Sequence, residues 1–116
     1  MKYVLLFCGS QADQQAFDNL TPEELGERYR EVGAWFGANQ ARIQNTNQLQ
    51  GPDTATSVQI DDSGRPTVTD GLFLEGKELV GGYAEIEVSD LDEALAMAKT
   101  WPGRGTVEIR PVVERR

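Results

Sequence analysis

A chain of 116 residues, 39% of them hydrophobic, is long enough for one core and too short for two, so residues 1–116 are read as a single domain. Nineteen Asp and Glu against eleven Lys and Arg give a net charge of −8, and no concentrated basic surface is available to neutralise phosphates, which excludes direct nucleic-acid binding. Histidine is absent, and with it the commonest general base and the usual zinc or iron ligand, so any catalysis must use carboxylates, Lys, Tyr, Arg or the single Cys8. No metal-ligand spacing, phosphate-binding Gly-rich loop or nucleophile elbow stands in the sequence, and no cofactor or metal is expected. No apolar run reaches the length of a membrane span, and the first ten residues lack a signal-peptide pattern, so the expected location is cytoplasmic.

Lys2 to Gly9 is apolar on both alternating faces, with Val4, Leu6 and Cys8 on one and Tyr3, Leu5 and Phe7 on the other, as in a central strand. A thiol on such a strand lacks the positive, accessible setting that would make it reactive. Residues 10–20 are polar and read as a loop with a helical turn near Ala16 and Phe17. Thr21 then opens a helix as N-cap, with Pro22 in the first turn and Glu24 completing a capping box. Leu25, Tyr29, Val32 and Phe36 form its apolar stripe, leaving Trp35 beside the stripe to cover an interface or pack. Gly26, Gly33 and Gly37 line an adjacent face, either to admit a close neighbour or as tolerated glycines on an exposed edge.

Arg42 to Gln50 is rich in Asn and Gln and holds the second strand of the order. Thr56 to Asp61 is a further strand, Asp61-Asp62-Ser63-Gly64 a turn, and Pro66 to Thr69 its hairpin partner. Gly82 to Val88 alternates, with Ala84, Ile86 and Val88 toward the core and Tyr83, Glu85 and Glu87 away from it. Ser89 or Asp90 caps a second helix carrying Leu91, Ala94, Leu95, Ala98 and Trp101, which Pro102-Gly103 ends. Thr106 to Val113 supplies the last strand, with Val107, Ile109 and Val113 on one side and Glu108 and Arg110 on the other. The order strand, helix, strands, strand, helix, strand is the split βαβ pattern of an α+β, ferredoxin-like fold: an antiparallel sheet with two helices on one face.

The most charged turn region runs Asp70-Gly71-Leu72-Phe73-Leu74-Glu75-Gly76-Lys77-Glu78 and closes on Gly81-Gly82-Tyr83. Together with Met1-Lys2-Tyr3-Val4-Leu5-Leu6, Asp90-Leu91-Asp92-Glu93-Ala94 and Val107-Glu108-Ile109-Arg110-Pro111, it resembles the YCII-related, or DGPF, family, with Leu72 in place of the family proline. The resemblance implies a dimeric α/β-barrel assembly, a homodimer whose sheets face each other around a cavity. A His-Asp dyad proposed for some relatives has no counterpart here, and Asp70 is its one surviving candidate as a catalytic base.

Asp70, Glu75, Lys77, Glu78, Tyr83 and Arg110 are the candidate ligand-binding residues for a small polar or anionic molecule. A carboxylate near Lys77 could act as a general base while Lys77 stabilises negative charge. The plainer alternative is a turn with surface ion pairs. Likewise Glu85, Glu87, Glu108 and Arg110 are either a salt-bridge network or the polar lining of a cleft, Arg110 being the fork that would hold a carboxylate or a bound anion. Relatives of this type are often encoded beside extracytoplasmic-function sigma factors and carry transcription-initiation labels, so a sigma factor is the alternative partner. A carboxylate-dependent lyase or isomerase is a third reading, by analogy of fold.

Overall fold

The computed structural model describes residues 1–71 and 79–115. Six strands and three helices follow in the order β1 (Lys2–Gly9), α1 (Gln11–Asp18), α2 (Pro22–Asn39), β2 (Ile43–Gln48), β3 (Thr56–Ile60), β4 (Pro66–Asp70), β5 (Leu79–Glu87), α3 (Leu91–Lys99) and β6 (Thr106–Pro111). Four strands form one antiparallel sheet in the order β2-β5-β1-β6, while among the described residues β3 and β4 pair only with each other. With that hairpin set aside, the sheet has the ferredoxin-like order, its first strand central and its second at an edge.

The double alternation of β1 places the core. Tyr3 sits opposite Ile86 and Leu5 opposite both Ala84 and Ile109, so these residues share one face. On it Trp35 of α2 and Ala94 and Met97 of α3 complete a buried cluster with Tyr3, Leu5, Ala84, Ile86 and Val88, Leu5 and Ile86 being fully enclosed. Phe7 extends the cluster, stacked on Trp101 with ring centroids 4.1 Å apart and edge-on to Trp35 at 6.0 Å.

The helix starts follow from local chemistry. At α2 the Thr21 hydroxyl accepts from the Glu24 backbone N–H and the Glu24 carboxylate accepts from the Thr21 N–H, the expected capping box. Asp90, one of the two expected candidates, caps α3 by accepting from the Glu93 N–H. Residues 10–20 are more ordered than the sequence suggests. Ser10 and Asp13 form a second reciprocal capping box that starts α1, and Phe17 meets Tyr29 of α2 edge to face at 6.3 Å.

Several packing expectations shift. The apolar stripe of α2 is rotated from the expected line: Tyr29 is 47% exposed while Trp35 is 5% exposed, its indole N–H donating to the Met97 carbonyl and the Thr100 hydroxyl oxygen. Asn39, one turn on, is buried too, because its amide donates to the Trp35 carbonyl. Gly26, Gly33 and Gly37 face open space, so no close approach by the chain's own described residues explains them. The last strand stops at Pro111, and Val113 lies beyond it, 76% exposed. Asn- and Gln-rich β2 does pair with β5, through a register shift between Ile43 and Asn45.

Two glycines are set by space. At Gly82 an added Cβ would stand 3.0 Å from the Asn47 carbonyl oxygen, and at Gly105, where φ is +93°, it would collide with the Cys8 carbonyl oxygen. Gly105→Ala is therefore expected to destabilise the fold by about 2 kcal/mol or more. Leu5→Ala should cost about 2–5 kcal/mol. Urea unfolding of both variants checks these values.

Acid dependence follows from the capping boxes. Hydrogen bonds from the Ser10 backbone and side chain hold the Asp13 carboxyl below its ordinary range, and those from Thr21 do the same for Glu24. The unfolded chain then binds more protons than the folded one as pH falls through the ordinary carboxylate range. This contribution is complete above that range and is lost as pH drops through the lowered folded values. Urea midpoints measured from pH 7 down to pH ~3 should fall less steeply for an Asp13→Asn, Glu24→Gln double variant.

Candidate functional site

The face of the sheet opposite the helices carries the side chains that the core leaves over. Reading across the strands, Asn45, Glu85, Val4 and Arg110 form one row and Asn47, Tyr83, Leu6 and Glu108 the next, with Lys2 opposite Glu87 beside them. Val4 and Leu6 are half-buried, whereas Glu85, Glu87, Glu108 and Arg110 are exposed. The face is thus an apolar centre line with a polar border of both signs. Asn47 donates its amide N–H to the Tyr83 phenol oxygen at 2.8 Å, which holds the ring tip toward β2.

The carboxylates and the guanidinium do not neutralise one another within the chain. Glu87 meets the N-terminal ammonium at 3.1 Å, and among the described residues Arg110 has no carboxylate within 4.0 Å. A guanidinium with no carboxylate partner among the described residues can receive a carboxylate bidentately, and Tyr83, across β1 from it, presents a hydrogen-bonded phenol on the same face. Tyr83 and Arg110 therefore share one open surface, as the alternation of their strands requires.

Asp70 is placed differently. It ends β4 opposite Thr56, exposed, on the two-stranded sheet and not on the four-stranded one. Behind it the chain turns at Gly71, whose φ is +93°, whose N–H donates to the Ala55 carbonyl and whose own carbonyl accepts from the Ser57 hydroxyl. Glu75, Lys77 and Glu78, with Leu72 and Phe73, lie outside the described residues. Cys8 is half-buried on β1, its thiol directed to the Leu6 carbonyl oxygen. Among the described residues no three His, Cys, Asp or Glu side chains gather as metal ligands, and no helix is long and apolar enough to cross a membrane.

A concavity not foreseen from the sequence runs between α2 and α3 with a volume of about 480 Å³. Ala34, Ala38 and Ala96 form its walls, Trp35 and Met97 its floor, and an Arg42–Glu93 ion pair at 3.2 Å its rim. The alanine spacing in α2 was the available signal, though alanines in helices are too common to mark a groove. Its polar groups are committed to one another: Trp35 to Met97 and Thr100, Asn39 to Trp35, Arg42 to Glu93. No buried side-chain polar atom among the described residues lacks a partner, so the groove offers a ligand less than the open sheet face does.

Comparison with known proteins agrees with this architecture. Residues 1–116 match the family model of the YCII-related domain. An uncharacterized protein of Rhizobium meliloti strain 1021 is 37% identical over 65 residues, covering 53% of this chain and 52% of that protein; the match thus spans about half the relative's length. Among solved structures, the 5-chloro-2-hydroxyhydroquinone dehydrochlorinase TftG of Burkholderia phenoliruptrix AC1100, in complex with 2,5-dihydroxybenzoquinone, superposes with a TM-score of 0.58. That alignment covers 99% of this chain and 96% of TftG at 12% identity, and it shows a common fold.

The Arg42–Glu93 pair gives a direct check on the groove. Both side chains are substantially exposed, at 43% and 33%, so a double-mutant cycle of Arg42→Ala and Glu93→Ala should return a coupling of no more than about 1 kcal/mol, read from urea unfolding.

Proposed function

This chain belongs to the YCII-related domain family along its whole length, and from that premise we propose that it is a homodimeric small-molecule-binding protein. Its ligand, a small polar or anionic molecule, is held over the open sheet face, with Arg110 as the anion-holding group and Tyr83 across β1 from it. The observation that carries the reading is the Arg110 guanidinium, exposed on the sheet and without a carboxylate partner among the described residues. The apolar line of Val4 and Leu6 would lie under a flat ring, and Tyr83, held by Asn47, would meet a ring hydroxyl.

The ligand of the fold neighbour TftG, 2,5-dihydroxybenzoquinone, is a planar ring bearing acidic hydroxyls, and it suits such a surface. Asp70, Glu75, Lys77 and Glu78 stay in the proposed ligand-binding set by the family resemblance alone, the last three lying outside the described residues. Asp70 is the candidate base for any proton transfer, since a carboxylate must do the work of the missing histidine. Dimerisation through the open face would remove water from Val4 and Leu6 and enclose the ligand between two sheets.

Isothermal titration calorimetry with 2,5-dihydroxybenzoquinone as probe tests the reading. Binding is expected for the wild-type chain and should weaken by roughly 10- to 100-fold in Arg110→Ala, the equivalent of losing a charge-assisted hydrogen-bonded pair. Arg110→Lys should recover part of the loss. Absence of binding, or equal affinity for wild type and Arg110→Ala, overturns the assignment.

A further inference from the structure

Among the described residues the β3–β4 hairpin stands apart as an arm: it shares no strand pairing with the four-stranded sheet, and every residue of β4 is exposed. Two strands alone are at best marginally stable in water. The arm also leaves the chain broad and flat: the Cα radius of gyration is 16.3 Å and the extents are 47 × 46 × 19 Å, against a radius of about 13–14 Å for a compact domain of this length.

Register shows that the arm has two unlike faces. Val58 pairs with Val68 and Ile60 with Pro66, and the paired residues point to one side; Gln59 with Thr67 and Ser57 with Thr69 point to the other. Val58, Ile60 and Val68 are 58%, 67% and 67% exposed, a cross-strand apolar cluster presented to solvent. Asp70, opposite Thr56, lies on this same side, at the base of the arm.

We propose that the apolar side of the arm docks on the open sheet face of a second copy of this chain, each copy lending its arm to the other. This rests on the homodimer proposed above and adds the element that joins the two copies. Three exposed apolar side chains on one side of an arm fall short of the roughly 800 Å² per partner of a stable interface, so the contact needs further surface, and the 46% exposed Val80 on the open face adds to it. Charge argues for it as well. Asp70 on the arm and Arg110 on the open face are opposite charges, neither with an ion-pair partner among the described residues of its own chain, so they would attract across the two copies as long as no ligand anion occupies Arg110. A net charge of −8 on each copy opposes association, which makes an apolar contact the necessary driving force.

Sedimentation equilibrium on the intact chain tests this. The wild type is expected to dimerise, and Val58→Lys, Val68→Lys should weaken the dimer by about tenfold or more. A Gln59→Lys, Thr67→Lys variant, with equal added charge on the other side of the arm, should dimerise as the wild type does. Amide exchange of residues 56–60 and 66–70 should slow when the wild type is concentrated from monomer to dimer, an assay that needs no variant. A wild-type dimer whose affinity survives Val58→Lys, Val68→Lys, or whose arm amides exchange equally in both states, overturns the arm contact and leaves the homodimer standing. A wild type that stays monomeric overturns both.

Discussion

The rest of the structure depends on β1, a central strand that is apolar on both sides. Because side chains alternate, the register that sends Tyr3, Leu5 and Phe7 toward the helices necessarily sends Val4, Leu6 and Cys8 the other way. One face gains two helices and becomes the core. The other gains no layer from the described residues, so an apolar line remains with charged neighbours on both sides. The polar border contributed by β5 and β6 keeps that line tolerable in water, and the same border places Tyr83 and Arg110 on one surface.

Much of this was legible from residues alone, because the signals were local. Thr21-Pro22-x-Glu24 fixes a helix start by satisfying orphan amides, and the alternation from Gly82 to Val88 sorts core from surface without any knowledge of partners. The helix at Gln11–Asp18 is expected only as a turn near Ala16 and Phe17 because it is short and carries just Ala12, Ala16 and Phe17 as apolar residues; its start is encoded in Ser10 and Asp13, a capping box whose acid is Asp instead of Glu. The rotation of α2 was not legible either. Trp35 wins the core position over Tyr29 because its indole N–H finds acceptors on α3, a long-range fact that spacing within one helix cannot carry.

The candidate site shows the same division. Which side of a strand Tyr83, Glu85, Glu108 and Arg110 occupy follows from period two and agrees with the register. How Asp70 relates to them does not follow, since the hairpin that carries it forms its own sheet. Two strands in sequence order with a turn between them read identically whether they extend an existing sheet or stand apart. The salt-bridge alternative likewise depended on side-chain reach across β1, and the intervening Val4 and Leu6 separate the acids of β5 from the cation of β6.

Phe7, Trp35 and Trp101 lie together on the helix side, and both tryptophans of the chain belong to that group. Ultraviolet emission from this molecule therefore originates within the packed core, and a ring seated on the opposite side of the sheet would be separated from the emitters by a layer of backbone. The protein carries a built-in optical division: indole light reports whether the core is assembled, while Tyr83 is the chromophore on the surface where binding is assigned.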